Sequence, residues 1–241
     1  MAQTGVRRST GVSCLAVIPA RGGSRGIPRK NLRTLLGKPL LAYIIGEALA
    51  ARTLSKVVVS TDDADIALVA RRYGADVVDR PTEISGDDAS SESAVQHALE
   101  TMRTIEGWTP DITVMLQCTA PLTLAEDIDG TVASMLERRA DSCLSVARSH
   151  QFLWRLSADA SCCEGVNHNR MSRPRRQEMS EQFVETGAVY AMRTASFLST
   201  LSRFCGRTVM YKMPAERHLE VDEPNDLVKA EAMLRDRANR D

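Results

Sequence analysis

Short apolar runs alternate with amphipathic stretches along most of the chain. A continuous run rich in Val, Ile and Leu is typical of a strand buried on both faces of a sheet, whereas apolar residues spaced three and four apart are typical of a helix. These patterns predict strands at 14–19, 56–60, 76–78, 112–116, 142–146, 187–192 and 209–212. Helices are predicted at 40–51, 64–73, 91–105, 125–140 and 227–237. The alternation predicts an α/β fold with a mostly parallel sheet that helices cover on both faces.

Residues 148–185 interrupt this alternation. The stretch has little apolar periodicity, and up to position 177 it contains six arginines but only two acidic residues, Asp159 and Glu164. It is too long for an ordinary loop, which favours a functional or interaction element; a disordered, solvated excursion is the alternative. The predicted organisation is a disordered tail at 1–12, an α/β domain at 13–147 and 186–241, and an insert at 148–185.

The loop after the first predicted strand has the composition of an anion-binding site. Glycines let the backbone approach a phosphate, and N–H groups and cations neutralise it. The loop contains three glycines and four cations: Gly22, Gly23, Gly26, Arg21, Arg25, Arg29 and Lys30. Its spacing matches neither the Walker A pattern nor the dinucleotide Gly-x-Gly-x-x-Gly pattern. We therefore predict a loop that binds a polyphosphate, with a solvated basic turn as the alternative.

Composition narrows the class of function further. Lys and Arg total 31, Asp and Glu also total 31, and aromatic residues make up 4%, which argues against a general nucleic-acid or membrane-surface binder. The six cysteines form no Cys-x-x-Cys pair, so we expect no zinc site and a reducing, cytoplasmic location. No apolar run reaches the roughly 18–20 residues of a membrane span. The apolar stretch after Arg7 and Arg8 is too short for an export signal.

The loop resembles the N-terminal signature of the acylneuraminate cytidylyltransferase family, which reads A-R-x-x-S-K/R-G-x-x-x-K-N-L. Residues 20–32 match it at each fixed position. The resemblance implies a Rossmann-like nucleotidyltransferase fold that binds CTP. It implies that Arg21 and Lys30 hold the phosphates and that Gly22, Ser24 and Asn31 belong to the same nucleotide-binding loop.

Two further motifs are similar to the family on the nucleotide side. The sequence V-S-T-D-D ends at Asp63, and we favour Asp62 as the cap of the helix that follows. The run Ala89-Ser90-Ser91 precedes another predicted helix. By resemblance Ser91 contacts the cytosine, and a helix cap is the alternative for this residue.

Acceptor-binding residues are implied by three stretches. The family reads L-Q-P-T-S-P-L where residues 116–122 stand, which implies that Gln117 contacts the sugar acid; relatives that act on the eight-carbon acid KDO have an aspartate there. The family's R-Q…[FY]-x-x-N-G-A-x-Y motif makes Arg176 and Tyr190 candidates, although Thr186 replaces the asparagine. Guanidinium groups suit bidentate capture of a carboxylate. By resemblance Arg155 is a further candidate, because it sits where a cation near the substrate carboxylate is often found; a surface arginine is the alternative.

Two carboxylates near the C-terminus form a candidate metal site. Alternation in an extended segment places Glu220 and Asp222 on one face, and Mg²⁺ prefers such oxygen ligands. The family has D-x-D here, which implies Asp222 as the main ligand and Glu220 as a weaker one. Capping of the last helix by Asp222 or Asp226 is the alternative.

Together these resemblances predict cytidylyl transfer from CTP to the C2 hydroxyl of a nonulosonic, sialic-acid-like sugar acid, with Arg21, Lys30 and Asp222 as the catalytic residues. They also imply a homodimer in which the insert closes the partner's active site. Three alternatives stay open: the same transfer to a phosphonate or a KDO-like acid, uridylyl or guanylyl transfer, and a non-catalytic nucleotide-binding module. The last two lack support because the longer G-x-G-T-R loop is absent and the catalytic residues are present.

Overall fold

The computed structural model describes residues 11–23, 26–172, 174–175 and 177–239. The helices are α1 (Leu40–Ala50), α2 (Ala64–Arg72), α3 (Ser91–Glu106), α4 (Ala125–Glu137), α5 (Thr194–Thr200) and α6 (Pro224–Ala238), with short 3₁₀ turns at Lys30–Leu32, Thr82–Ile84 and Ala215–Arg217. The strands are β1 (Cys14–Pro19), β2 (Thr34–Leu35), β3 (Lys38–Pro39), β4 (Lys56–Thr61), β5 (Asp76–Asp79), β6 (Ile112–Leu116), β7 (Ser142–Ser149), β8 (Trp154–Leu156), β9 (Cys163–Gly165), β10 (Gln182–Arg193) and β11 (Thr208–Lys212).

Seven strands form one mixed sheet in the order β11-β7-β10-β6-β1-β4-β5. All neighbours pair in parallel except β10, which runs antiparallel to both β6 and β7. The prediction of an α/β fold with a mostly parallel sheet is therefore confirmed. The direction of β10 was not predicted, because an apolar run does not record which way a strand points.

The core explains why the buried strands have continuous apolar sequences. Alternate β1 residues face opposite sides of the sheet: Ala16 and Ile18 pack in one apolar cluster, and Leu15 and Val17 pack in another. All four side chains are fully buried. Because β1, β4, β5 and β6 are parallel, their carboxyl ends meet at one edge, where α/β proteins bind ligands.

The predicted insert has a sheet of its own. Strands β7 and β10 are longer than predicted and pair as far as Ser149 and Gln182. Beyond them, β8 and β9 form an antiparallel hairpin in which Trp154 is opposite Gly165. The dimerisation role of this segment and the disordered tail stay predictions; residues 1–10 of that tail lie outside the described part of the chain.

Over the described residues, no helix is both long and apolar enough to cross a membrane.

Candidate functional site

Residues 20–31, which follow β1 and are called the phosphate loop below, are held by hydrogen bonds from two sides. The Gly22 N–H donates to Asp62 Oδ1 at 3.0 Å, and the Asn31 side-chain amide donates to the Arg21 carbonyl at 3.1 Å. Asn31 is buried, so its amide supports the loop from beneath. The predicted contact at Ser24 falls outside the described residues.

The helix cap predicted at Asp62 is wrong by one position. The cap of α2 is Asp63, whose carboxylate accepts from the N–H groups of Asp65 at 2.9 Å and Ile66 at 3.0 Å. The extended backbone of Asp63 places its side chain over the first turn. Asp62 therefore remains available to bind the Gly22 N–H and fix the loop beside β4.

Three cations of the phosphate loop form ion pairs with carboxylates from three different parts of the chain. The pairs are Arg21–Asp87 at 3.1 Å, Arg29–Asp65 at 2.7 Å and Lys30–Asp222 at 2.9 Å. Arg21 also donates to the Gly86 carbonyl at 2.7 Å. The loop therefore concentrates positive charge that protein carboxylates balance in this structure. A bound polyphosphate would compete with these carboxylates for the same cations.

The acid segment, Glu220–Val221–Asp222, is anchored by its central residue. Val221 is fully buried in an apolar cluster with Ile27 of the phosphate loop. The Val221 N–H donates to the Thr119 carbonyl at 2.8 Å, which ties the segment to the turn after β6. Because Val221 points inward, both neighbouring carboxylates point away from this cluster, and Asp222 reaches Lys30.

Two glycines allow close contact with the acid segment. A Cβ on Gly26 would lie 2.3 Å from the Asp222 carbonyl oxygen, and a Cβ on Gly187 would lie 1.2 Å from Glu220 Oε1. Gly187 also has a φ of +63°, in the left-handed region that favours glycine. Both sides of the acid segment are therefore packed at distances that a larger residue does not permit.

The two carboxylates fit a magnesium site that other ligands complete. Within the described part of the chain, no three His, Cys, Asp or Glu side chains are grouped to hold a metal ion. Burial, and then the charges of Asp222 and Glu185, raise the pKa of Glu220. Mg²⁺ commonly takes one or two protein carboxylates and completes its shell with phosphate oxygens and water. Glu220 and Asp222 match that requirement beside a loop built for phosphates.

The first turn of α3 separates the roles of two serines. Ser90 caps the helix, and its hydroxyl accepts from the Ser93 N–H at 3.1 Å. Ser91 is the first helical residue, so the cap proposed as its alternative role is wrong. Its contact with cytosine stays a prediction.

Arg80 is a buried cation that sequence reasoning missed. It follows β5 and donates to Ser60 Oγ at 3.1 Å and to the Ser60 carbonyl at 2.5 Å. Burial lowers the pKa of its guanidinium, and the nearby Asp62 opposes that effect. A cavity of about 250 Å³ is lined by Arg80 and the carboxylates of Asp62, Asp63 and Asp79. The one available signal was a cation directly after a predicted strand, at the ligand-binding edge.

Gln117 lies where the ends of β6 and β10 meet. Its N–H donates to the Ala188 carbonyl at 3.1 Å, and its side-chain oxygen accepts from Thr119 Oγ1 at 3.4 Å. Ala188 follows Gly187, which contacts Glu220. The structure therefore brings Gln117 close to the acid segment, as an acceptor-binding role requires.

Tyr190, a predicted acceptor contact, is buried in this structure, and that role stays a prediction. Its side chain is buried at 2% exposure, and its hydroxyl donates to the carboxylate of Glu185. Glu185 is exposed. The guanidinium of Arg203 lies 4.7 Å from the centre of the Tyr190 ring. Sequence reasoning missed Glu185 and Arg203, although a glutamate just before Gly187 was a visible signal.

The other residues of the acceptor motifs either make contacts elsewhere in the chain or lie outside the described residues, and the roles predicted for Arg155 and Arg176 stay predictions. Arg155 lies on β8 and pairs with Glu164 across the hairpin at 3.1 Å. Thr186, which stands where the family has asparagine, is buried, and its hydroxyl is hydrogen-bonded to that of Ser145 at 2.6 Å. Arg176 lies outside the described residues.

Comparison with known proteins agrees with this geometry. A family model described as "Cytidylyltransferase" matches residues 15–237. The chain is 33% identical over 227 residues to N-acylneuraminate cytidylyltransferase A of Danio rerio, covering 93% of this chain and 51% of that protein. It is 30% identical over 224 residues to pseudaminic acid cytidylyltransferase of Campylobacter jejuni, covering 92% of this chain and 96% of that protein. The chain thus spans about half the length of the N-acylneuraminate cytidylyltransferases it matches.

Solved structures share the fold at low identity. CMP:2-keto-3-deoxy-manno-octonic acid synthetase complexed with CTP superposes with a TM-score of 0.69 at 20% identity, covering 93% of this chain and 99% of that one. The 4-diphosphocytidyl-2C-methyl-D-erythritol synthase of Anaerococcus prevotii superposes with a TM-score of 0.66 at 11% identity, covering 94% of this chain and 100% of that one. These likenesses show that the chain shares the fold of the two synthetases.

Proposed function

Since this chain belongs to the cytidylyltransferase family, we propose that it transfers CMP from CTP to the C2 hydroxyl of a nonulosonic, sialic-acid-like sugar acid and releases pyrophosphate. The observation that carries the proposal is the ion pair between Lys30 and Asp222 at 2.9 Å. It joins a cationic loop suited to a triphosphate with the acid segment suited to a divalent cation. Nucleotidyl transfer needs the cations of the loop and the charge of the metal ion close to the same triphosphate.

The proposed reaction requires no protein nucleophile. The acceptor's C2 oxygen forms a bond to the α-phosphorus, and the bond from that phosphorus to the bridging oxygen breaks. Pyrophosphate leaves with the electron pair, and the proton of the hydroxyl passes to the solvent. Arg21 and Lys30 neutralise the charge that develops on the departing pyrophosphate, so positioning and electrostatics supply the rate.

Asp222 and Glu220 are the proposed holders of Mg²⁺. Families of cytidylyltransferases typically use a divalent metal, and when bound it supplies positive charge to the phosphate oxygens. Asp222 is the better placed ligand because its side chain is 65% exposed, whereas Glu220 is half-buried. Lys30 would then exchange the Asp222 carboxylate for a phosphate oxygen.

The acceptor is proposed as a nine-carbon acid on two grounds. Gln117 lies beside the acid segment, where KDO-specific relatives are expected to have an aspartate. The relatives with the names N-acylneuraminate and pseudaminic acid cytidylyltransferase act on acids of this class. We also propose that Arg155 and Arg176 help to capture the acid and that the protein forms a homodimer. Ser91 is the proposed contact of the cytosine. A phosphonate or a KDO-like acid is the alternative acceptor.

Pyrophosphate release from CTP and Mg²⁺ tests the function. The panel contains N-acetylneuraminate, legionaminate, pseudaminate, KDO and small phosphonates. We expect release with a nine-carbon acid and its loss in Asp222→Ala. Glu216→Gln, which changes an exposed acid in the preceding 3₁₀ turn, is the matched control and should retain activity. Release only with KDO or a phosphonate would correct the acceptor, and binding of CTP without release for any acid would favour the non-catalytic alternative.

A further inference from the structure

The pairing of β10 with β7 has an irregularity directly after Glu185. Glu185 is opposite Val146 on β7, whereas Tyr190, five positions on, is opposite Leu144. The extra residues form a bulge that includes Gly187 with its φ of +63°. Residues 186–190 are buried, whereas Glu185 is exposed. Bulges next to active sites commonly change the direction of one side chain.

A chain of one buried and two half-buried side chains leads from the Glu185 carboxylate to α3. Tyr190 donates its hydroxyl to Glu185, and Arg203 lies 4.7 Å from the Tyr190 ring centre. Arg203 in turn donates to Glu92 Oε1 at 2.6 Å, in the first turn of α3. Burial, and then the Glu185 carboxylate, raise the pKa of Tyr190, so the phenol stays protonated and continues to donate. The chain holds one carboxylate in one place.

The Glu185 carboxylate can accept hydrogen bonds beyond the one from Tyr190. Glu220 packs against Gly187, and Gln117 donates its N–H to the Ala188 carbonyl. The segment that carries Glu185 therefore adjoins the acid segment and the turn after β6. Lys30 is paired with Asp222. Among the described residues, no cation forms an ion pair with Glu185. An ionised carboxylate accepts several hydrogen bonds, and the structure shows one donor.

We propose that Glu185 accepts hydrogen bonds from hydroxyl or acylamino groups of the acceptor sugar, and that Tyr190 and Arg203 are its positioning residues. The inference rests on the proposed function, because it names a specificity residue of the same site. A triphosphate is anionic and offers acceptors, so Glu185 does not suit it. A sugar acid brings hydroxyl and amide donors.

Steady-state kinetics of Glu185→Gln and Tyr190→Phe test the proposal. We expect KM for the acid to rise by about 10- to 100-fold in Glu185→Gln, since hydrogen bonds to a charged group contribute this much. Tyr190→Phe keeps the ring in the core and should raise the same KM by less. KM for CTP should stay unchanged in both. Glu181→Gln, which alters an exposed glutamate next to β10, is the control and should behave as the parent.

Two further measurements separate this inference from the proposed function. The first compares two acids that differ by one hydroxyl or acylamino group. The ratio of their kcat/KM values should be smaller for Glu185→Gln than for the parent. Binding of the acid to protein saturated with a non-hydrolysable CTP analogue reports on Glu185 even if turnover is absent, and that absence would count against the proposed function alone. Unchanged KM in Glu185→Gln, or a loss confined to kcat, would overturn the inference, as would a parent that binds no acid.

Discussion

The phosphate loop with its acid segment and the β8–β9 hairpin differ in how the chain holds them. The buried side chains of Val221 and Ile27 anchor the first region in an apolar cluster, and Gly26 packs directly on the backbone of Asp222. The hairpin instead contacts mainly itself, as in the Arg155–Glu164 pair. It also exposes large apolar side chains: Leu153, Trp154, Leu156, Val166 and Met171. The contrast indicates that one chain prearranges the phosphate loop and the acid segment, whereas the hairpin leaves apolar surface exposed that the proposed second copy would cover.

Removing one cation from each region should give the largest difference in steady-state kinetics between the phosphate loop and the hairpin. Lys30→Met should lower kcat/KM for CTP by about two to three orders of magnitude, because a preorganised charge on the transferred group is lost. Arg155→Met should act only through KM for the acid. Steady-state kinetics with both substrates varied would check this, and an equal loss of kcat in both variants would contradict the contrast.

Two glycines of the phosphate loop give a sharper test. In Gly26→Ala the new methyl group would meet the Asp222 carbonyl, so we expect about 1–3 kcal/mol of lost stability together with lost activity. Gly23→Ala is the matched control, since a Cβ there has no neighbour within 4 Å. Chemical denaturation and turnover measure both effects. Equal behaviour of the two variants would mean that the loop does not pack on the acid segment.

The raised pKa of Glu220 makes the stability of the first region depend on pH. A carboxyl group whose folded pKa lies above its unfolded value opposes folding once it ionises, so this cost is absent below about pH 4 and grows as pH rises through the folded pKa. Glu220→Gln should therefore melt at a higher temperature than the parent near neutral pH and at the same temperature in acid. Calorimetry across pH without Mg²⁺ would check it; a constant difference would contradict the assignment.

A change in the hairpin should leave the fold almost unaffected. Leu156→Ser should alter the free energy of unfolding by no more than about 0.5 kcal/mol, because its side chain is exposed. If the hairpin is the homodimer surface, the variant should weaken self-association in analytical ultracentrifugation. Leu68→Ser on α2, with a similarly exposed side chain, should not.

The sequence was informative where a local pattern determines structure. Continuous apolar runs identified the buried strands, and the motifs around Lys30, Gln117 and Asp222 identified residues that the fold brings together. The position of the α2 cap was missed by one residue because Asp62 and Asp63 are adjacent and chemically identical. Arg203 was missed because its partner Glu92 is 111 positions away, and such a pair has no local signature. The bulge that exposes Glu185 depends on pairing with β7, which no single strand encodes.

The most direct test of one shared site is the affinity of Asp222→Asn for CTP with and without Mg²⁺, measured by titration calorimetry beside Glu216→Gln. Without Mg²⁺, Asp222 competes with the triphosphate for Lys30, so the variant should bind CTP more tightly than the parent. With Mg²⁺ the order should reverse, because the variant lacks the main proposed ligand. Weaker binding by Asp222→Asn to the same degree in both conditions would contradict a site in which the phosphate loop and the acid segment exchange partners.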